Sequence, residues 1–113
     1  MKPEDVVKKA THQLLTSLGV MFFRMQSGRL PVKRGYMQLC PIGTADFLIF
    51  PSGRTLWVEL KAPGQKTAKD RAIKQAEFRD RVLAAGHRHE VCYSADEVLR
   101  AVEGCVITVE GLG

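Results

Sequence analysis

Apolar and polar positions along the chain fall into short blocks, and the period changes from block to block. Val7, Thr11, Leu14 and Leu18 recur at the spacing of one helical face, between Pro3-Glu4-Asp5 and Gly19. Proline suits the first helical turn and acidic residues complement its positive end. Counting back from Val7 puts Glu4 on the same inward stripe. Val20-Met21-Phe22-Phe23 then reads as a short apolar strand, after which the pattern dissolves into a long irregular segment from Arg24 to Ile42. It returns in two β-branched and aromatic runs, Ala45-Asp46-Phe47-Leu48-Ile49-Phe50 and Leu56-Trp57-Val58-Glu59-Leu60-Lys61, separated by Pro51-Ser52-Gly53. These are predicted to be adjacent strands joined by a hairpin turn. A helix follows, opened by Thr67 as N-cap with Asp70 three residues on, running to about Ala85 and stopped at Gly86. Ala72, Gln75, Phe78, Val82 and Ala85 share its inward stripe. Glu90-Val91-Cys92-Tyr93 supplies the last core strand, and Ser94-Ala95-Asp96-Glu97 forms a capping box for a short helix carrying Val98, Leu99 and Val102. Val106-Ile107-Thr108-Val109 is expected to add a terminal edge strand.

The order helix, strand, strand, strand, helix, strand predicts an α/β fold, a small mixed β-sheet flanked by helices. At 113 residues the expectation is a single domain spanning residues 1–113. Hydrophobic residues at 45% and charged ones at 26% suit a soluble globular chain. The formal net charge of +5 favours an anionic partner, nucleic acid first among them. Cys40, Cys92 and Cys105 are odd in number and widely spaced, which argues against a disulfide framework and a structural zinc site. With no secretory signal pattern and no membrane-length apolar run, a soluble, cytoplasmic protein is expected.

Chemistry enters where charges interrupt the apolar strands. Alternation puts Leu56, Val58 and Leu60 on one sheet face and Trp57, Glu59 and Lys61 on the other. Burying charge in a sheet costs several kcal/mol per ion, so something should offset it. A divalent ion held by Asp46 and Glu59 is the reading favoured here; a structural salt-bridge cluster is the alternative. Carboxylate oxygens are hard ligands suited to Mg²⁺ or Mn²⁺. Gln75, the one polar member of its helical stripe, either satisfies nearby backbone or serves this site. Glu4 is either a helix-dipole acid or a group aimed at the ion. His12, His87 and His89 have no partnering acid spacing and read as exposed.

A Gly-x-x-Asp turn at Gly43–Asp46, two apolar strands, and the Glu59-Leu60-Lys61 ending resemble the PD-(D/E)xK nucleases. The helix bearing Gln75, then Gly86 and a short strand, is similar to their virus-type replication-repair branch, VRR-NUC. The likeness spans roughly residues 4–102, with Ala45 where the family carries its name-giving proline. It implies a restriction-endonuclease-like core and a metal-dependent DNA endonuclease using Asp46, Glu59, Lys61 and Gln75. The Leu60 carbonyl would join the ion, and Glu4 would reach it directly or through water. It also implies branched or junction DNA as substrate and a homodimer with two sites.

The irregular segment carries Arg24, Arg29, Lys33 and Arg34, with Tyr36 beside them, and is expected to meet the phosphate backbone. Lys66, Lys69, Arg71 and Lys74, at the start of the Gln75 helix, would flank the same ligand or form a solvated face. The competing function is a module that binds nucleic acid through these bases without cutting it.

Overall fold

The computed structural model describes residues 2–112 of the chain, with side chains described for residues 2–105. Three helices, α1 (Pro3–Leu18), α2 (Lys69–Ala84) and α3 (Ala95–Leu112), accompany six strands. The strands are β1 (Met21–Arg24), β2 (Arg29–Val32), β3 (Gly35–Gln38), β4 (Phe47–Ser52), β5 (Arg54–Leu60) and β6 (Arg88–Cys92). The edge strand expected over residues 106–109 does not form, because α3 continues through them to Leu112.

The main sheet has the order β1-β4-β5-β6. Its first three strands pair antiparallel, whereas β5 and β6 run parallel. A parallel neighbour needs a crossover, and α2 supplies it. The β4–β5 turn is tight, with Gly53 at φ 59°. Pro51 has no N–H to donate, and the register shifts between Ile49 and Ser52, where the ladder must give way to it.

Alternation along β4 and β5 sends Phe47, Ile49, Leu56, Val58 and Leu60 to one face, where all are buried. Leu15 of α1 and Val98, Val102 and Cys105 of α3 close over them, together with Cys92 of β6. In α1 the buried positions are Thr11 and Leu15, while Leu18 is exposed. The expected inward stripe is thus rotated by one residue in its second half. Gly19 caps this helix in the left-handed conformation, its N–H donating to the Thr16 carbonyl. The capping box at the start of α3 forms: the Glu97 N–H donates to Ser94 Oγ, and Tyr93 N–H donates to the Glu97 carboxylate.

Two further expectations need correcting. The segment from Arg24 to Ile42 is not irregular throughout, because β2 and β3 form a separate antiparallel hairpin, Leu30 opposite Met37. Every residue on both strands is exposed, so no buried face imposes the alternation that marks a strand in sequence. Backbone bonds between Gly28 and Cys40, and from the Cys40 N–H to the Gln26 carbonyl, close its base. The second correction concerns α2, whose N-cap is Ala68, without a side-chain cap; the Thr67 hydroxyl is engaged elsewhere.

Candidate active site

The register of the central hairpin sets Phe47 opposite Val58. Extended by one residue, it brings Asp46, just before β4, across from Glu59, near the end of β5. Both side chains then leave the apolar face. Asp46 is fixed by its own strand neighbour, its Oδ2 accepting the Leu60 N–H at 2.7 Å. Glu59 is 5% exposed. Its Oε1 accepts from Gln75 Nε2 at 3.1 Å, while its Oε2 is buried with no hydrogen-bond partner among the described residues.

Gln75 reaches Glu59 from α2, which comes close because of one glycine. Gly43 adopts φ +100°, and a Cβ placed there would stand 2.6 Å from the Lys74 backbone. The Asp46 turn therefore rests directly on the helix that carries Gln75. That amide serves two charges at once, its Oε1 accepting from Lys61 Nζ at 2.9 Å while its Nε2 donates to Glu59. Lys61 Nζ also donates to Thr67 Oγ1 at 2.7 Å. Thr67 thus gives up helix capping to hold the lysine.

Glu4 arrives from the first turn of α1. Its Oε2 accepts from Gln65 Nε2 at 3.2 Å, and Gln65 Oε1 in turn accepts the Ala62 N–H at 2.8 Å. The loop after β5 is thereby tied to α1. Lys8, one turn on, places Nζ 3.2 Å from Glu4 Oε1 and 3.7 Å from Asp46 Oδ1. A cleft of about 180 Å³ is lined by Glu4, Glu59, Lys61, Lys66, Arg71 and Gln75, among others.

Burial dominates the electrostatics. It pushes Glu59 from the ordinary 4.5 up to about 8, helped by the adjacent Asp46 charge and opposed by Lys61 and Arg71. Asp46 is also raised by burial, against the Leu60 hydrogen bond and the Lys8 charge. Two neighbouring carboxylates with one oxygen left unpartnered form a site that fits a hard cation. Among the described residues no three His, Cys, Asp or Glu side chains gather as a ligand group. An ion here would rest on Asp46, Glu59 and backbone or solvent oxygens, the partly hydrated arrangement that Mg²⁺ accepts.

Asp46, Glu59, Lys61, Gln75, Leu60 and Glu4 are therefore brought together, and of these Glu4, Glu59, Lys61 and Gln75 share the cleft wall with Lys66. Lys69 opens α2 and is exposed. Arg24 lies apart, in a groove with Lys8, Lys9 and His12. Arg29 stacks over Tyr36 at 5.1 Å, and Lys33 and Arg34 sit exposed at the hairpin turn. Arg71, of the basic cluster expected to flank nucleic acid, also lines the cleft, and Lys8, Gln65 and Thr67 are additions to the site. The only sequence signal for Lys8 was its place four residues after Glu4. Of the histidines, His12 is exposed as expected, but His89 lies on β6, half-buried against Phe78, with burial lowering its pKa. His87 Nδ1 accepts the Thr55 N–H at 3.2 Å.

A solved structure described as a VRR_NUC domain has the same fold, with a TM-score of 0.55 and 22% identity, covering 91% of this chain and 97% of that one. No protein-family model matches the sequence. No curated protein matches it either. Among the described residues no helix is long and apolar enough to cross a membrane.

Proposed function

We propose that this chain is a divalent-metal-dependent DNA endonuclease that hydrolyses phosphodiester bonds. The observation that carries the reading is the pairing of half-buried Asp46 with buried Glu59, both raised in pKa and with Glu59 Oε2 unpartnered among the described residues, beside a lysine held by two neighbours. The fold shared with a VRR_NUC domain supports it.

Asp46 and Glu59 would hold Mg²⁺ or Mn²⁺, with Leu60 lending its carbonyl and Glu4 acting at the rim. A bound ion would supply Lewis acidity towards the phosphodiester and the attacking water. The protein's own groups do the positioning. Gln75 locks Glu59 and Lys61 relative to each other, so neither can drift as charge builds. An ammonium has three donors, and Thr67 and Gln75 take two of those of Lys61. The third is available to orient water or to stabilise the developing phosphoryl charge. Lys66 and Arg71 make the cleft wall attractive to phosphate. Lys69, Arg24 and the hairpin residues Arg29, Lys33 and Arg34 would extend that contact along the backbone of the nucleic acid.

Branched DNA, cut by a homodimer presenting two such clefts, is the substrate and assembly this reading expects. A cleavage panel of duplex, flap, splayed-arm and four-way-junction DNA, run with each divalent ion and with EDTA, tests it. Asp46→Ala, Glu59→Ala and Lys61→Ala should each cut cleavage by about a thousandfold or more while DNA binding persists. Wild-type rates in all three would refute the assignment. Binding without any cleavage by the native chain would instead support the non-cleaving module. Changing Arg29, Lys33 and Arg34 together to Ala should lower the slope of log affinity against log salt by about 2–3.

A further inference from the structure

We propose that Lys8 is a built-in counter-cation for the carboxylates, one that a divalent ion must displace from Asp46 in order to bind. The inference rests on the reading of Asp46 and Glu59 as ion ligands, and adds a competitor to that site.

Two adjacent carboxylates repel each other whenever both are ionised, and a positive charge close to Asp46 relieves that repulsion in the ion-free protein. Lys61 is hydrogen-bonded to Thr67 and Gln75 rather than to either acid. Arg71 lines the cleft and acts on both carboxyls, but forms no ion pair with them among the described residues. Among the described residues Lys8 alone makes ion pairs here, at 3.2 Å to Glu4 and 3.7 Å to Asp46. Its side chain is 20% exposed, less than the 29% of its partner Glu4, so the contact is partly shielded from water.

The helix makes this arrangement cheap. Glu4 and Lys8 lie four apart on one face of α1, with the acid N-terminal, the better orientation for such a pair. The Lys8 ammonium therefore has a second carboxylate to rest on once Asp46 is taken. An ammonium and a divalent ion cannot both crowd the free oxygen of Asp46, because the other oxygen already accepts the Leu60 N–H. Ion entry at Asp46 would move Lys8 wholly onto Glu4. Glu4 thereby acquires a purpose different from ligation: it parks the displaced lysine.

The test is a calorimetric titration of Mn²⁺ into the full chain, as wild type, Lys8→Met, Lys8→Arg and Asp46→Asn. Lys8→Met keeps the length and removes the charge. It should bind Mn²⁺ about five- to tenfold more tightly than wild type, whereas Lys8→Arg should stay near wild type. In EDTA the Met variant should melt below wild type, and Mn²⁺ should raise its melting temperature by more. Equal or weaker Mn²⁺ binding by Lys8→Met, with its circular dichroism unchanged, would overturn the role of Lys8 while leaving the ion site standing. If neither wild type nor Lys8→Met binds Mn²⁺, or if Asp46→Asn binds as well as wild type, the ion-site reading fails and this inference with it.

Discussion

The two faces of the sheet obey different physics. Towards α1 and α3, Phe47, Ile49, Leu56, Val58 and Leu60 present only apolar surface, and every one is buried. Towards α2, the same strand β5 offers Trp57 and Glu59, followed by Lys61, met by Phe78, Gln75 and Thr67. On that side Val82 is the one buried residue of α2, and Ile73 and Leu83 are exposed. One face gains stability from area removed from water; the other spends some of it to hold two carboxylates out of solvent. Strand alternation keeps the two apart, so a polar site can sit one residue away from a dry core without wetting it.

The sharpest way to break this comparison is to exchange the expected signs. Phe47→Ala, on the apolar face, should destabilise the protein by about 3–5 kcal/mol in urea unfolding, because a buried ring leaves a cavity. Glu59→Gln, its near neighbour across the hairpin, removes a buried charge while keeping the shape. In EDTA it should leave the protein as stable as wild type at pH 8 or more so, although cleavage is lost. A large destabilisation by Glu59→Gln would place Glu59 in a structural ion-pair cluster instead.

Gly43→Ala should come next, at about 2–3 kcal/mol. The new methyl group would meet backbone of α2 rather than a movable side chain, at a φ that disfavours any Cβ. Since the displaced helix carries Gln75, cleavage should fall alongside stability. If the variant melts and cuts as wild type does, the close approach of turn and helix is not what positions the amide.

Acidity separates the faces further, because the carboxylates lie on only one of them. Glu59 is raised from 4.5 to about 8, so between those values the folded, metal-free chain holds a proton that the unfolded chain has released. Stability in EDTA should therefore fall as pH rises across that window, by up to a few kcal/mol, and level off above it. Asp46 is shifted in the same direction. His89 is lowered, so its own contribution is lost as pH falls through its range, against the carboxylates. Subtracting the melting curve of Glu59→Gln from that of wild type cancels His89 and leaves the Glu59 dependence. A flat difference between pH 5 and 9 would mean that Glu59 is ionised throughout.

The apolar face is readable from the chain because Phe47 to Phe50 is an unbroken apolar run bounded by turn residues, and Leu56 to Lys61 shows the period of two that one buried face enforces. Asp46, Glu59 and Lys61 were readable for the complementary reason: charges in such runs stand out. The hairpin at Arg29–Val32 and Gly35–Gln38 was not, since neither of its faces is buried. Lys8 and Gln65 carry no such mark, because ordinary polar residues on a helix and in a loop acquire meaning only from what lies opposite in space. Leu15 and Leu18 both fit a helical stripe, and only the packing against the sheet decides that Leu15 is the buried one.

Thr67 offers the finest distinction. Its position before α2, with Asp70 following, makes it a natural N-cap by pattern, yet its hydroxyl takes a hydrogen bond from Lys61 at 2.7 Å and Ala68 holds the cap position. Thr67→Val keeps the shape and removes only that acceptor. Lys61 would retain Gln75, so the loss should be about 1 kcal/mol, and cleavage should fall on the order of fivefold as the ammonium loosens. Helix content by circular dichroism should not move, because the hydroxyl caps nothing. The opposite result, with α2 fraying and the cleavage rate intact, would return Thr67 to the helix and leave Lys61 positioned by Gln75 alone.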